Sequence, residues 1–344
     1  MVQLAFIGAG RMAQTHASAL RGLSGVRILG VYDPSQAAAQ SFAAAYQVPK
    51  CYANAHELYA DGEIDGVLVC HYTDLHHRTL LDLFAAGKTA VFCEKALVRR
   101  VEEGRELLRE AHAAGARVMV GHHRRYQAGY AMLQRVAREG RLGTIRMAKV
   151  AYCHPGYARE WGDFFADYGR SGGVTLDMMS HLFDQLHWIL GEAESACGRC
   201  LRLSRSMPLP VDYVSATLAY RNGAIAGIEG SWQRYGVGYD KIELYGDEGA
   251  AIYEGSDKLR LYRAGEQTEL ACPGKPPYLA QMEAFIDMVS SGAPPRVGLA
   301  EGLHSVEVAL GVLEASETGE TFRFKPNQNE AGFQLPVQPS NAIR

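Results

Sequence analysis

At 344 residues the chain is too long for one ordinary core and predicts two domains. Its 47% hydrophobic and 21% charged residues are those of a soluble globular protein. The net charge of −3, with both signs scattered, points away from nucleic acid and anionic membranes, and no apolar run approaches the ~20 residues that span a bilayer.

The chain opens directly on a strand pattern, leaving no room for a signal peptide, and its seven cysteines form no framework. Both features predict reduced thiols in a cytoplasm. The one CxxC, Cys197 to Cys200, lacks the second ligand pair that zinc needs, so no metal is predicted.

Predicted strands at 2–7, 26–32, 66–70, 89–93 and 117–120 are short apolar runs without strict alternation, as in parallel strands covered on both faces. Predicted helices at 11–21, 35–46, 54–60, 74–86 and 99–114 separate them. Ser35 is the expected N-cap of the second helix, and Gly87 and Gly115 are expected stops. Repeated βα units predict an α/β protein with a doubly wound parallel sheet and a ligand at the carboxyl ends of its strands.

Residues 4–33 carry the dinucleotide pattern. Gly8 permits the turn out of the first strand, Gly10 lets backbone N–H groups approach a pyrophosphate, and Ala13 lets helix and strand pack closely. The helix N-terminus then faces the phosphates. Asp33 is placed to accept hydrogen bonds from the adenosine ribose and to repel a 2′-phosphate, which favours NAD over NADP.

Beyond residue 121 the grammar changes. A helix is predicted over 124–139, a strand over 145–153, a polar and aromatic loop over 154–171, and a helix over 173–190 closed by Gly191. Strands at 195–203, 211–220, 224–232, 239–246, 249–254 and 258–263 follow in hairpin series, with Asn222-Gly223 a strong turn signal. They predict a mostly antiparallel sheet. Helices at 277–292 and 299–318 close the chain before a Pro-, Gln- and Asn-rich tail. The predicted division is 1–121, 122–324 and 325–344.

Two stations carry chemistry. Lys95 follows the strand at 89–93, on the ligand side of the sheet, where it can donate to a substrate hydroxyl. Asp177 and His181, four apart on a predicted helix, share a face. A histidine suits taking a proton from an alcohol, and a neighbouring carboxylate can orient it. Together they predict oxidation of a secondary alcohol, with His181 removing the hydroxyl proton and Lys95 and Asp177 holding the oxygen.

The chain resembles the glucose–fructose oxidoreductase / inositol dehydrogenase family. The matching residues are Gly8-Ala9-Gly10-Arg11-Met12-Ala13, Ala86-Gly87-Lys88 with Glu94-Lys95, Gly121 with Arg124-Arg125-Tyr126, and Gly172-Gly173 with Asp177 and His181. The resemblance implies an N-terminal Rossmann domain and a C-terminal α/β domain with a large, mostly antiparallel open sheet that often forms an oligomer interface. It implies NAD(P), a sugar, cyclitol or related polyol substrate, and a homodimer or homotetramer. The family's catalytic lysine, aspartate and histidine map to Lys95, Asp177 and His181. Cofactor contacts are expected from Gly8, Gly10, Arg11, Met12, Asp33, His71, Tyr72, His76, Glu94 and Lys95.

Two positions depart from the family. Ala96 replaces the proline after the lysine, which makes a cis peptide there costly. His71-Tyr72-Thr73 replaces Thr-Pro-Asn, so Tyr72 is expected to pack against the nicotinamide ring. Substrate contacts are expected from Arg124, His154, Trp161, Asp177 and His181, with Tyr157, Arg159, Asp163, Tyr235, Tyr239, Tyr278, His122 and His123 as further candidates. Two other readings are an NAD-retaining glycosidase that works by transient oxidation and a non-catalytic NAD sensor. The scattered histidines, with no HxH or HExxH, argue against a metal-dependent hydrolase.

Overall fold

The computed structural model describes residues 1–154, 164–165, 167–203, 211–232 and 238–326. Its N-terminal part alternates β1 (Val2–Ile7), α1 (Arg11–Leu20), β2 (Val26–Tyr32), α2 (Gln36–Tyr46), β3 (Lys50–Cys51), α3 (Ala55–Ala60), β4 (Gly66–Val69), α4 (His76–Ala85), β5 (Ala90–Cys93), α5 (Val101–Ala114) and β6 (Arg117–Val120). The strands form a parallel sheet in the order β3-β2-β1-β4-β5-β6. Every residue of β4 and β5 is buried, which explains their unbroken apolar sequences. Ser35 caps α2 by accepting from the Ala38 N–H, and Gly115 ends α5 in the left-handed conformation, both as expected.

The chain winds outward from β1 to β3 and then crosses to β4 on the other side of β1. The crevice at this switch point is where such sheets bind ligands. Gly8 lies in it with φ +97°, and a Cβ there would sit 2.9 Å from the Cys70 carbonyl carbon and the His71 nitrogen. No other residue fits that turn.

The remaining elements begin with a 3₁₀ turn at His123–Tyr126. Next come α6 (Ala128–Arg138), β7 (Ile145–Cys153), α7 (Tyr168–Ser171), α8 (Gly173–Asp177), α9 (Ser180–Leu190) and β8 (Ala193–Leu201). Then follow β9 (Tyr213–Tyr220), β10 (Ile225–Ser231), β11 (Tyr239–Gly246), β12 (Gly249–Tyr253), β13 (Lys258–Arg263), β14 (Glu266–Ala271), α10 (Pro277–Ser291), α11 (Leu299–Thr318) and β15 (Phe322–Arg323). The second sheet has the order β14-β13-β12-β11-β7-β10-β9-β8-β15. Among the described residues of this sheet, only the β7–β10 pairing is parallel. One face buries Ala148, Leu218, Ala226 and Leu244; the other exposes Met147 and Ile225, neighbours in register.

Several expectations are corrected. The edge strand β14 is polar and exposed along most of its length, so it carries no alternation to read. β3 and β15, two residues each, are too short for a pattern. The helix expected over 124–139 begins as a 3₁₀ turn and restarts at Ala128. The helix expected over 173–190 breaks between α8 and α9, because the Met178 and Met179 N–H groups both donate to the Val174 carbonyl and the turn slips. Met179 there packs against Gly230 of β10, where a Cβ would lie 2.1 Å from its sulfur.

The closing helices hold the two sheets together. Met282, Phe285 and Met288 of α10 join Leu4, Phe6 and Phe92 in one buried cluster. On α11, Gly302 lies under Val120 and Leu97, and Leu303 fills the notch left by Gly104 of α5. Each fully buried side chain of this kind contributes about 1.5–3 kcal/mol of transfer free energy, so the cleft has firm walls.

Candidate active site

At the β1 edge, Gly10 differs from Gly8. Its φ is ordinary, and a Cβ there would meet no protein atom within 4 Å. The fold itself does not need glycine at this position; close approach of a ligand does. Gly10 also caps α1 without a side-chain hydrogen bond, leaving first-turn N–H groups facing the crevice. The Asp33 carboxylate accepts from the Ala9 N–H and the Ser35 N–H, each at 2.8 Å. It therefore braces the glycine loop, and its remaining lone pairs are free to meet ribose hydroxyls. This cradle fits a dinucleotide.

Past β5, Glu94 is buried and accepts from His16 Nε2 at 2.6 Å and from the Lys95 N–H at 3.1 Å. Burial works to raise its carboxyl, but the His16 hydrogen bond and the nearby charges hold it below the usual carboxylate range. The Lys95–Ala96 peptide is cis although alanine stands in the proline's place, contrary to expectation. His76 is sealed from solvent, with Nδ1 2.9 Å from the Ala96 oxygen and Nε2 3.2 Å from the His71 oxygen. It ties two loops together and cannot itself touch a ligand, which corrects its expected cofactor contact.

Lys95 Nζ reaches across the cleft to Asp177, donating to both its carbonyl oxygen and Oδ1 at 2.8 Å. Both side chains are 17% exposed, so the pair sits at the cleft wall. The slipped turn after α8 frees the Asp177 carbonyl, which also accepts from the Ser180 hydroxyl at 3.1 Å. The expected common helical face for Asp177 and His181 does not exist. Asp177 orients Lys95, and His181 Nδ1 has no partner among the described residues.

His181 is 6% exposed and framed by two other imidazoles. The His123 ring stands edge-on to it at 4.7 Å between centroids, and His122 at 5.6 Å. Burial, then electrostatic coupling to the His123 ring and to Lys95, push the His181 pKa well below its ordinary value. His181 is therefore a neutral imidazole beside an ammonium. Its helix is held by Asp184, fully buried, which accepts from Arg125 Nε at 2.8 Å and Nη2 at 2.7 Å. That bidentate pair joins α9 to the turn carrying His123. Asp184 is visible in the sequence three residues after His181, but nothing there marks Arg125 as its partner.

Other expected contacts are redistributed. Arg124 is 4% exposed, paired with Asp240 at 2.9 and 3.0 Å, and bonded to the Tyr130 hydroxyl, with its guanidinium 4.0 Å over the Tyr152 ring. It forms part of the wall with its cation already engaged. His71 turns to Thr79 at 2.8 Å, and burial lowers its pKa to about 3. Tyr72 stacks on Phe164 at 4.5 Å, and the Arg170 guanidinium, paired with Asp74, lies 4.6 Å from the Tyr72 ring centroid and 5.8 Å from that of Phe164. The expected packing of Tyr72 on a nicotinamide ring is replaced by this interdomain stack. Tyr278 lies against His123, whereas Tyr239 bonds to Glu229 on β10 and the His154 N–H donates to Ser231. Tyr157, Arg159, Trp161, Asp163 and Tyr235 lie outside the described residues.

A dinucleotide cradle whose strand ends meet a lysine–aspartate pair and a neutral imidazole defines a pyridine-nucleotide-dependent oxidoreductase. The chain belongs to the GFO/IDH/MocA family: the oxidoreductase family with an NAD-binding Rossmann fold matches residues 2–122, and the GFO/IDH/MocA C-terminal domain matches residues 130–252. It is similar to inositol 2-dehydrogenase of Rhizobium meliloti (strain 1021), with 29% identity over 326 residues covering 90% of this chain and 94% of that one. Myo-inositol 2-dehydrogenase of Thermotoga maritima is 27% identical over 317 residues, covering 88% and 92%. Among solved structures, an oxidoreductase from Agrobacterium radiobacter in complex with NAD+, L-tartaric acid and magnesium shares the fold at TM-score 0.87, with 18% identity and coverage of 94% and 98%.

Proposed function

We propose that the chain oxidises a secondary alcohol of a cyclitol, sugar or related polyol, with NAD favoured over NADP. The observation that carries this reading is the Lys95–Asp177 pair beside His181, at the edge of a sheet whose first turn fits a dinucleotide. NAD would be held by Gly8, Gly10, Asp33 and the loop around Glu94, and when bound it supplies the acceptor for the hydride that leaves the alcohol carbon. The work of the chain is positioning and proton movement. Lys95, fixed by its two bonds to Asp177, donates to the substrate oxygen and stabilises negative charge as it develops. His181, kept neutral, accepts the hydroxyl proton. The named relatives act on inositols, which supports a cyclitol ahead of an open-chain alcohol.

The test is absorbance at 340 nm with NAD or NADP and a panel of inositols, aldoses and glycosides. NADH formed with a free polyol supports the reading. Release of an aglycone without net NADH would replace it with the redox-assisted glycosidase.

We also propose a cytoplasmic homo-oligomer formed through the open face of the second sheet, where Met147 and Ile225 are 38% and 51% exposed. Light scattering of wild type and Ile225→Glu checks it: the variant is expected to be monomeric, and a monomeric wild type would refute it.

A further inference from the structure

We propose that His123 is a specificity-determining residue that binds the substrate hydroxyl adjacent to the one being oxidised. The inference rests on the dehydrogenase reading above and concerns a side chain to which neither the catalytic pair nor His181 assigns a task.

The two histidines after β6 are sorted by the fold. His122 is fully buried and directs Nε2 at the Ser305 hydroxyl, 3.3 Å away. His123 is only partly buried and faces the cleft wall formed by His181. One face of its ring stacks on Tyr278 of α10 at 4.7 Å and 25°. Two rings from different elements therefore fix the imidazole plane, yet neither takes a ring nitrogen. No hydrogen bond to that ring is formed among the described residues. A polar group oriented this firmly, with its hydrogen-bonding atoms left over, is suited to a ligand.

Charge supports the same assignment. Burial and the Arg124 guanidinium, and further the Lys95 ammonium and His122, hold the ring neutral at a pKa of about 3, against the opposing pull of Glu94. His181, the other ring facing it, is neutral as well. A neutral imidazole offers one donor and one acceptor, which matches a hydroxyl and not a carboxylate or phosphate. Because its centroid lies 4.7 Å from that of His181, the hydroxyl it meets belongs to a carbon next to the one His181 serves. The chemistry recognised is a vicinal diol on a ring.

The test uses His123→Phe, which keeps the stack on Tyr278 and deletes both ring nitrogens, and His123→Asn, which restores a donor and an acceptor. Each enzyme is assayed with NAD and myo-inositol, and with monodeoxy-inositols lacking a hydroxyl beside the oxidised carbon. Wild type should prefer the intact cyclitol in kcat/KM. His123→Phe should narrow that preference by about 10-fold, mainly through KM, and His123→Asn should recover part of it. A preference undiminished in His123→Phe would overturn the proposal, because a structural role weakens both substrates alike. Wild type that makes no NADH from any polyol would instead defeat the dehydrogenase reading. In that case, polyol-induced thermal shifts of the NAD-loaded proteins still decide His123: a shift lost in His123→Phe supports the contact, and equal shifts refute it.

Discussion

The two walls of the cleft are built by different means. The β1–β4 edge is made of backbone: Gly8 is forced by its φ and by the neighbouring strand, and Asp33 is held by two backbone N–H groups. The opposite wall is made of side chains gathered from far apart in sequence, with Lys95 meeting Asp177, Arg125 meeting Asp184, and His123 meeting His181. A backbone site tolerates changes that keep its dihedrals. A side-chain site depends on every partner, since a buried polar group left alone costs more than its pairing contributes.

That contrast predicts the largest effect on the side-chain wall. Lys95→Met or His181→Ala should lower kcat by about 10²–10⁴-fold while NAD still binds. A variant that loses NAD binding in equal measure would erase the difference between the walls. Asp184→Ala should come next, because it strands Arg125, whose side chain is 9% exposed. Breaking such a buried pair costs about 3–5 kcal/mol, read as a fall in the denaturant midpoint. A loss below ~1 kcal/mol would mean that Arg125 finds water when the carboxylate is gone.

On the backbone wall, Asp33→Ala should weaken NAD by about 10–150-fold, the range for hydrogen bonds to a charged group, and weaken NADP less. Equal losses would leave Asp33 only its bracing of Ala9 and Ser35.

Acid should test the buried side chains as well. His122, His181 and His304 are almost fully buried with pKa values held below normal, chiefly by burial. Their depressed pKa values mean that the unfolded chain takes up protons below pH 6.5 while the folded chain does not. Stability is therefore complete above that pH and falls as pH drops toward the folded values, by at most about 1.4 kcal/mol per pH unit for each imidazole. Glu94 and Asp184, with lowered carboxyl pKa values, lose their contribution only at more acid pH. Melting temperature between pH 7 and 5 reports the histidines, and His304→Gln should flatten the slope. An unchanged slope would show that His304 takes up its proton without unfolding.

How much was legible follows from the same division. The parallel sheet, the glycine turn and Asp33 could be read from residue type and spacing, because backbone geometry restricts which residues fit. The Lys95–Asp177 bond could not, since it depends on a carbonyl freed by the slip at Met178–Met179, and both methionines keep helical dihedrals. Nor could the sorting of His122 from His123, which is decided by Ser305 and Tyr278 more than 150 positions downstream. Tyr72 was read as a nicotinamide contact because Phe164 and Arg170, its partners, come from the other half of the chain.

The smallest effect belongs to that last cluster, which bridges the walls. Arg170 covers Tyr72 and Phe164 and is paired with Asp74, but its side chain is 36% exposed. Exposed cation–π and ion-pair contacts contribute about 0.5–1 kcal/mol each, so Arg170→Ala should barely move global stability. Its effect should instead fall on the relative freedom of the two halves near the cofactor's reactive end. Stopped-flow release of NADH, followed by its fluorescence, is expected to be several-fold faster in Arg170→Ala, with kcat for a saturating polyol altered less. Release at the wild-type rate would mean that the Tyr72–Phe164 stack stands without the cation.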